Sequence, residues 1–271
     1  MHKSDHPCEA FPLIHGCAEL TPVAVALLAP GKEPLTFGEL LHRIETTETA
    51  LDRCGIGPNE VVALALPDGL EMAVAVLGVG RTRACAPLNP SLTATELESC
   101  LLRLRPAALM APRGIDSSAT EAARAVGVPI LDVVSEPDAP AGSFPLDLRC
   151  GTSPVQRRNA SGAAILLFTS ATTGKPKLVP LSHGNLNAIC RNTSLALELC
   201  AGDRFLSLMP LFHLQGLACI LAQWGAGGGV VCPPGFDPER LLSWRLPESR
   251  MPGLRMPPGI PAAAPHRRPT M

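Results

Sequence analysis

"LLFTSATTGKPKLVPLSHGNL", residues 166–186, sets four hydroxyl residues, one glycine and two lysines within the nine positions from Thr169 to Lys177. It follows an apolar run, and Ser, Thr and Gly are ordinary turn residues between strands. The composition also suits an oligophosphate. Hydroxyls of Thr169, Ser170, Thr172 and Thr173 can donate to phosphate oxygens, and the backbone N–H groups of so small-residued a loop form an anion-binding nest. Lys175 or Lys177 supplies positive charge, and one threonine can reach a magnesium ion. The Walker pattern G-x-x-x-x-G-K-[ST] is excluded, because Thr169 stands five before Gly174 and Pro176 takes the place of the metal-binding hydroxyl residue.

Strands and helices alternate on either side of this stretch. "VVALALP" (61–67), "ACAPLNP" (84–90), "AALMAP" (107–112) and "VPILDVV" (128–134) are short apolar runs that read as buried strands. Between them lie helical patterns. "LEMAVAVLGVG" (70–80) is apolar nearly all round. "TATE" (93–96) has capping-box spacing, with Leu97, Cys100, Leu101 and Leu104 on one face behind it. "SATEAARAVG" begins with the same spacing at Ser118 and Glu121. Beyond the opening stretch, "SHGNLNAICRNTSLAL" has a Ser182 cap and places Leu186, Ile189, Cys190, Thr193 and Leu197 on one face. "DRFLSLMP" reads as a strand, "FHLQGLACILAQWGAGG" as a helix and "GVVCPP" as a strand. This is the pattern of an α/β fold, doubly wound about mostly parallel sheets. The expected division is a first α/β subdomain over 1–134, a connecting loop over 135–161 and a second subdomain over 162–244. A Pro/Arg-rich stretch over 245–271 has no apolar period and reads as disordered.

The formal net charge of -1 leaves no basic surplus to neutralise a row of phosphates, so nucleic acid is not an expected partner. The stretch from Phe205 to Phe236 carries no charged side chain, but proline, glutamine and a glycine cluster interrupt it. A buried helix followed by a buried strand is expected there, and no membrane span. The N-terminus lacks the apolar core of a signal peptide. The ten cysteines are scattered without a C-x-x-C pair, which reads as reduced thiols in a cytoplasmic protein.

"TSATTGKPK" resembles the phosphate-binding signature T-S-G-T-T-G-x-P-K-G of the AMP-forming adenylation superfamily, which includes acyl-CoA synthetases. Three further stretches agree in order and spacing. Residues 35–79 resemble the family's N-terminal region, "APLNPSLTATEL" (86–97) its P-L-N-P segment, and "MPLFHLQGL" (209–217) its [LM]-P-[LM]-[FY]-H motif. The resemblance implies an acid–thiol ligase using ATP, Mg2+ and coenzyme A. A carboxylic acid becomes an acyl-adenylate, and the coenzyme A thiol then displaces AMP. It implies that Thr169, Ser170, Ala171, Thr172, Thr173, Gly174, Lys175 and Lys177 cradle the β- and γ-phosphates, with Thr172 beside the metal. Lys177 and His213 would be catalytic, His213 lying near the junction of acyl pocket and adenylate. Read by itself, His213 is a core histidine satisfied by a backbone carbonyl.

The sequence departs from that pattern at Ala171, where the family has glycine, and at Leu178. The family's later aromatic-Gly-x-[ST]-E segment, ribose-binding aspartate and lysine-bearing C-terminal domain have no counterpart. "FDPERLLSW" (236–244) still looks like family sequence, and the Pro/Arg-rich stretch then replaces what should follow. The expectation is an incomplete N-terminal domain, with a change of reading frame or splicing near Arg245. The rival expectation is a catalytically dead product that binds nucleotide weakly or acts through a partner over an uncovered apolar sheet edge.

Overall fold

The computed structural model describes residues 12–134, 146–148, 157–169 and 176–233. In chain order, α1 (Pro12–Leu20), β1 (Val25–Leu28), β2 (Leu35–Thr36) and α2 (Phe37–Arg53) lead into β3 (Val61–Leu64), α3 (Leu70–Gly80) and β4 (Ala84–Pro87). Next come α4 (Ala94–Leu104), β5 (Ala108–Pro112), α5 (Ser118–Ala125), β6 (Ile130–Val133) and β7 (Leu146–Leu148). The opening stretch forms β8 (Ile165–Phe168) and β9 (Leu178–Leu181), followed by α6 (His183–Ala196), β10 (Arg204–Leu206), α7 (Leu214–Gly225) and β11 (Gly229–Val231).

One sheet has the order β7-β6-β5-β3-β4-β8-β9, and the other β10-β11-β1-β2. In the larger sheet β6, β5, β3, β4 and β8 run parallel, while β7 and β9 are antiparallel edges. In the smaller, β10, β11 and β1 are parallel and β2 is antiparallel.

Side-chain alternation explains the near-continuous apolar runs of the larger sheet. Val62, Leu64, Cys85, Ala108, Met110, Ile165 and Leu167 face a core that also takes in Leu27 and Val230 of the smaller sheet, together with residues of α2, α3, α6 and α7. Their neighbours Val61, Ala63, Ala84, Ala86, Leu109 and Leu166 face a second core beneath α4 and α5. Both faces are buried, so no position on these strands needs to be polar. Helix α3 is apolar all round for a similar reason: every residue from Leu70 to Gly80 except Glu71 is buried. Each fully buried Val, Leu or Met side chain of this kind contributes about 1.5–3 kcal/mol.

Four helix starts, those of α2, α4, α5 and α6, are capped by side chains. Thr36 with Glu39, Thr93 with Glu96, and Ser182 with Asn185 each form a reciprocal box. At α5 the box is Ser117 with Thr120 rather than Ser118 with Glu121, because Ser118 is already the first helical residue. Two buried polar groups tie elements together. Trp224 on α7 donates its indole N–H to the Ala26 carbonyl on β1 at 2.7 Å. Arg83 before β4 is 2% exposed; it donates to the Ile56 carbonyl and pairs with Asp52 on α2.

Three features go beyond what the local pattern shows. The sheets do not follow the two sequence halves, since β8 from the later half pairs with β4 and β11 pairs with β1. The 135–161 connection contributes the edge strand β7, and its end is pinned by Ala160 N–H donating to the Asn59 carbonyl at 2.8 Å. On α6 only Leu186 and Cys190 of the expected face are buried, and Leu197, at the C-cap, is 41% exposed. The 245–271 stretch lies outside the described residues. The eight described cysteines are free thiols; Cys85, Cys100, Cys190 and Cys232 are buried, whereas Cys200 is exposed. Among the described residues no helix is long and apolar enough to cross a membrane.

Helix α7 meets the chain before it at Gly216, where an added Cβ would lie 2.4 Å from the Pro210 carbonyl oxygen and 2.8 Å from that of Met209. Helix propensity alone makes Gly216→Ala stabilising by about 1 kcal/mol. The backbone contact reverses that sign, with an expected loss of about 1–3 kcal/mol. Thermal melting of the variant checks this, and an unchanged or raised midpoint contradicts the packing described.

Candidate functional site

The opening stretch is an antiparallel hairpin. β8 and β9 pair from Ile165↔Leu181 to Phe168↔Leu178. Its neck is closed one residue further on. Thr169 N–H donates to the Lys177 carbonyl at 2.9 Å, and Lys177 N–H donates to the Thr169 hydroxyl oxygen at 3.2 Å. Thr169 and Lys177 are exposed. From outside, Arg103 on α4 donates to the Pro176 carbonyl, and its guanidinium lies 5.4 Å from the centre of the Phe168 ring. Ser170, Ala171, Thr172, Thr173, Gly174 and Lys175 lie outside the described residues.

The neck stands at the carboxyl end of β8, beside the carboxyl ends of β4 and β3. After β3 the chain turns into α3, which packs in the core shared by the two sheets; after β4 it turns into α4, on the opposite face. Adjacent parallel strands whose connections leave on opposite faces open a crevice at their carboxyl ends, the usual ligand position of such sheets.

His213 stands on the other wall, in the loop that leads from β10 into α7. It is the N-cap of α7, with extended backbone (φ -108°, ψ 143°), and its carbonyl accepts from Leu217 N–H at 3.2 Å. The imidazole is exposed and lies 4.6 Å from the Phe212 ring, centroid to centroid. It is therefore not a core histidine. No hydrogen bond or ion pair joins it to Lys177.

Asp68, which the sequence reading did not single out, connects the two walls. It follows β3, and its carboxylate accepts the Leu211 N–H at 2.9 Å, bridging 143 positions of sequence. Burial raises its pKa, opposed by that hydrogen bond and by the charge of His213. Asp68 lines a cleft of about 120 Å³ with Ser207, Met209 and Pro210, and a larger, mostly apolar pocket of about 690 Å³. That larger pocket is lined from the ends of five strands, by Pro30, Leu66, Pro112, Val133 and Cys232 among others. The Cys232 thiol is pushed up to about 12, first by burial and then by the charges of Asp68 and Glu71, so it stays protonated and is no nucleophile. Among the described residues no group of three or more His, Cys, Asp or Glu is placed to hold a metal ion.

Comparison with known proteins gives this site a context. The family described as AMP-binding enzyme matches residues 15–248. An oxalate–CoA ligase of Arabidopsis thaliana is 33% identical over 229 residues, which cover 82% of this chain and 44% of the relative. A feruloyl-CoA synthase of Amycolatopsis sp is 31% identical over 83% of this chain and 44% of the relative. The chain thus spans somewhat under half the length of these curated relatives. Among solved structures, ATP-bound MatB from Rhodopseudomonas palustris superposes with a TM-score of 0.71 at 22% identity, over 87% of this chain and 47% of that one, which supports the fold.

Substitution at Asp68 separates its hydrogen bond from its charge. A carboxyl whose pKa is raised by folding supports the folded state below its ordinary range and loses that contribution as pH rises through the raised value. Asp68→Asn keeps an acceptor for Leu211 N–H and carries no charge. Its melting midpoint relative to the unsubstituted chain should therefore rise between acid and neutral pH. Asp68→Ala leaves the N–H without its partner and should cost about 1–3 kcal/mol at neutral pH. Equal effects of the two substitutions at neutral pH contradict the bridge.

Proposed function

The chain belongs to the AMP-binding enzyme family, and from that premise we propose that it serves ATP-dependent, AMP-forming activation of a carboxylic acid for transfer to coenzyme A. What supports the proposal is the hairpin neck of Thr169 and Lys177 at the carboxyl end of β8, together with an exposed His213 at the start of α7. In the proposed reaction a carboxylate oxygen attacks the α-phosphorus of ATP and pyrophosphate leaves with the bonding electron pair. The coenzyme A thiol then displaces AMP from the acyl-adenylate. Such chemistry depends mainly on positioning and on neutralising charge on phosphate oxygens.

Each residue has a proposed part. Thr169, Ser170, Thr172 and Thr173 donate hydroxyl hydrogen bonds to the β- and γ-phosphates, and the backbone N–H groups of Ala171 and Gly174 add to the same anion site. Lys175 and Lys177 offset the triphosphate charge, Lys177 from the rigid neck. His213 flanks the incoming carboxylate. A magnesium ion would neutralise phosphate oxygens. Thr172 is its proposed protein hydroxyl. The methyl group of Ala171 in place of the family's glycine is expected to weaken the cradle. Loss of one phosphate hydrogen bond in the transition state costs about 2.7–4 kcal/mol.

ATP–pyrophosphate exchange with a panel of carboxylic acids tests the proposal. Exchange with at least one acid is expected, falling by about two to three decades in Lys177→Ala. Absence of exchange with every acid, or exchange indifferent to Lys177, overturns it. Saturable ATP binding without exchange would instead favour a nucleotide-binding product without turnover.

A further inference from the structure

A second cavity lies away from the strand-end crevice. It is an open groove of about 760 Å³ between the end of α4 and the outer face of the β8–β9 hairpin. Its apolar lining is Leu178 and Pro180 with the nearly buried Leu166, and its more extensive polar lining includes Arg103, Arg158 and Asn159.

The rim is built rather than incidental. Asn159 pairs with Glu60 in an isolated bridge just before β3. Arg158 N–H donates to the Arg105 carbonyl at 2.9 Å, and the Asn159 side chain accepts Ser161 N–H at 2.9 Å. The guanidinium of Arg158 donates to the Arg103 carbonyl at 3.1 Å, which uses one of its five N–H donors. Arg103 is held by the Pro176 carbonyl and the Phe168 ring. Their neighbour Arg157 pairs with Glu60 at 3.4 Å, whereas among the described residues neither Arg103 nor Arg158 has an acidic partner within ion-pair distance and no acidic residue lines the groove. Among the described residues, two guanidinium groups thus border one cavity without an acidic partner.

We propose that this groove is a binding site for an amphipathic anion, with a phosphate- or carboxylate-like head between Arg103 and Arg158 and a short hydrocarbon body on Leu166, Leu178 and Pro180. It lies on the outer face of the hairpin and shares no lining residue with the pockets at the strand ends. Two guanidinium groups suit a doubly charged head, since each can give charge-assisted hydrogen bonds to it. The apolar lining selects against a bare inorganic anion.

Octylphosphonate is a suitable probe, because it has both parts and is not a carboxylic acid that the proposed ligase reaction could consume. Titration of the full chain by calorimetry should show saturable binding, weakened about tenfold or more in Arg158→Gln and further in Arg103→Gln/Arg158→Gln. Octan-1-ol and inorganic phosphate should each bind far more weakly, and His213→Ala should leave the affinity unchanged. Amide hydrogen exchange on the unsubstituted chain gives a reading independent of how the variants fold, with protection expected over 157–163 and 178–181. Non-saturable binding, an affinity indifferent to both arginines, or protection confined to other segments overturns the site.

Discussion

Burial of both faces of a parallel sheet is the constraint from which the rest follows. Parallel strands need crossover helices, and those helices cover both faces of the larger sheet with apolar side chains. The faces of the central strands therefore offer no surface for polar chemistry, which is left to the loops and to the β8–β9 edge. Because β3, β4, β5, β6 and β8 point the same way, the segments that leave their carboxyl ends meet at one end of the fold. The smaller sheet brings its own strand ends to the same place, where Leu211 after β10 and Cys232 after β11 meet Asp68 after β3.

The two walls of the crevice are held by different means. The hairpin wall is fixed by backbone pairing that runs past the last ladder residue to Thr169 and Lys177, braced from outside by Arg103. The opposite wall is fixed by one side chain, Asp68, and by the close approach of Gly216 to the Met209–Pro210 backbone. A cationic residue on a fixed neck suits a site that works by positioning, since an ammonium already in place need not be ordered when an anion arrives.

Local order was legible in the sequence wherever one physical signal sufficed. The runs that became β3, β4, β5 and β8 are apolar because both faces are buried, and the Thr93 and Ser182 caps follow from spacing alone. Where two neighbouring residues compete for one role, spacing misleads: Ser117 and Ser118 both carry hydroxyls, and backbone geometry decided between them. The four-residue β1 and two-residue β2 are too short to show a period, and β7 sits in a Pro- and Ser-rich connection whose composition hides it. Strand order is a long-range property; nothing local at Cys85 announces Ile165 as its partner. The same holds at the site. The family resemblance named Thr169, Lys177 and His213, but Asp68 and Arg103 matter only because folding brings them to Leu211 and Pro176.

The central claim is that the crevice beside the Thr169–Lys177 neck receives the triphosphate of ATP. Amide hydrogen exchange of the full chain, with and without magnesium and saturating ATP, tests it most directly. The account predicts slower exchange over 165–181 and over the 207–214 loop, with the lower-numbered ends of the same parallel strands unchanged. Unchanged exchange across the hairpin, or protection that appears only on surfaces away from the strand ends, would contradict it.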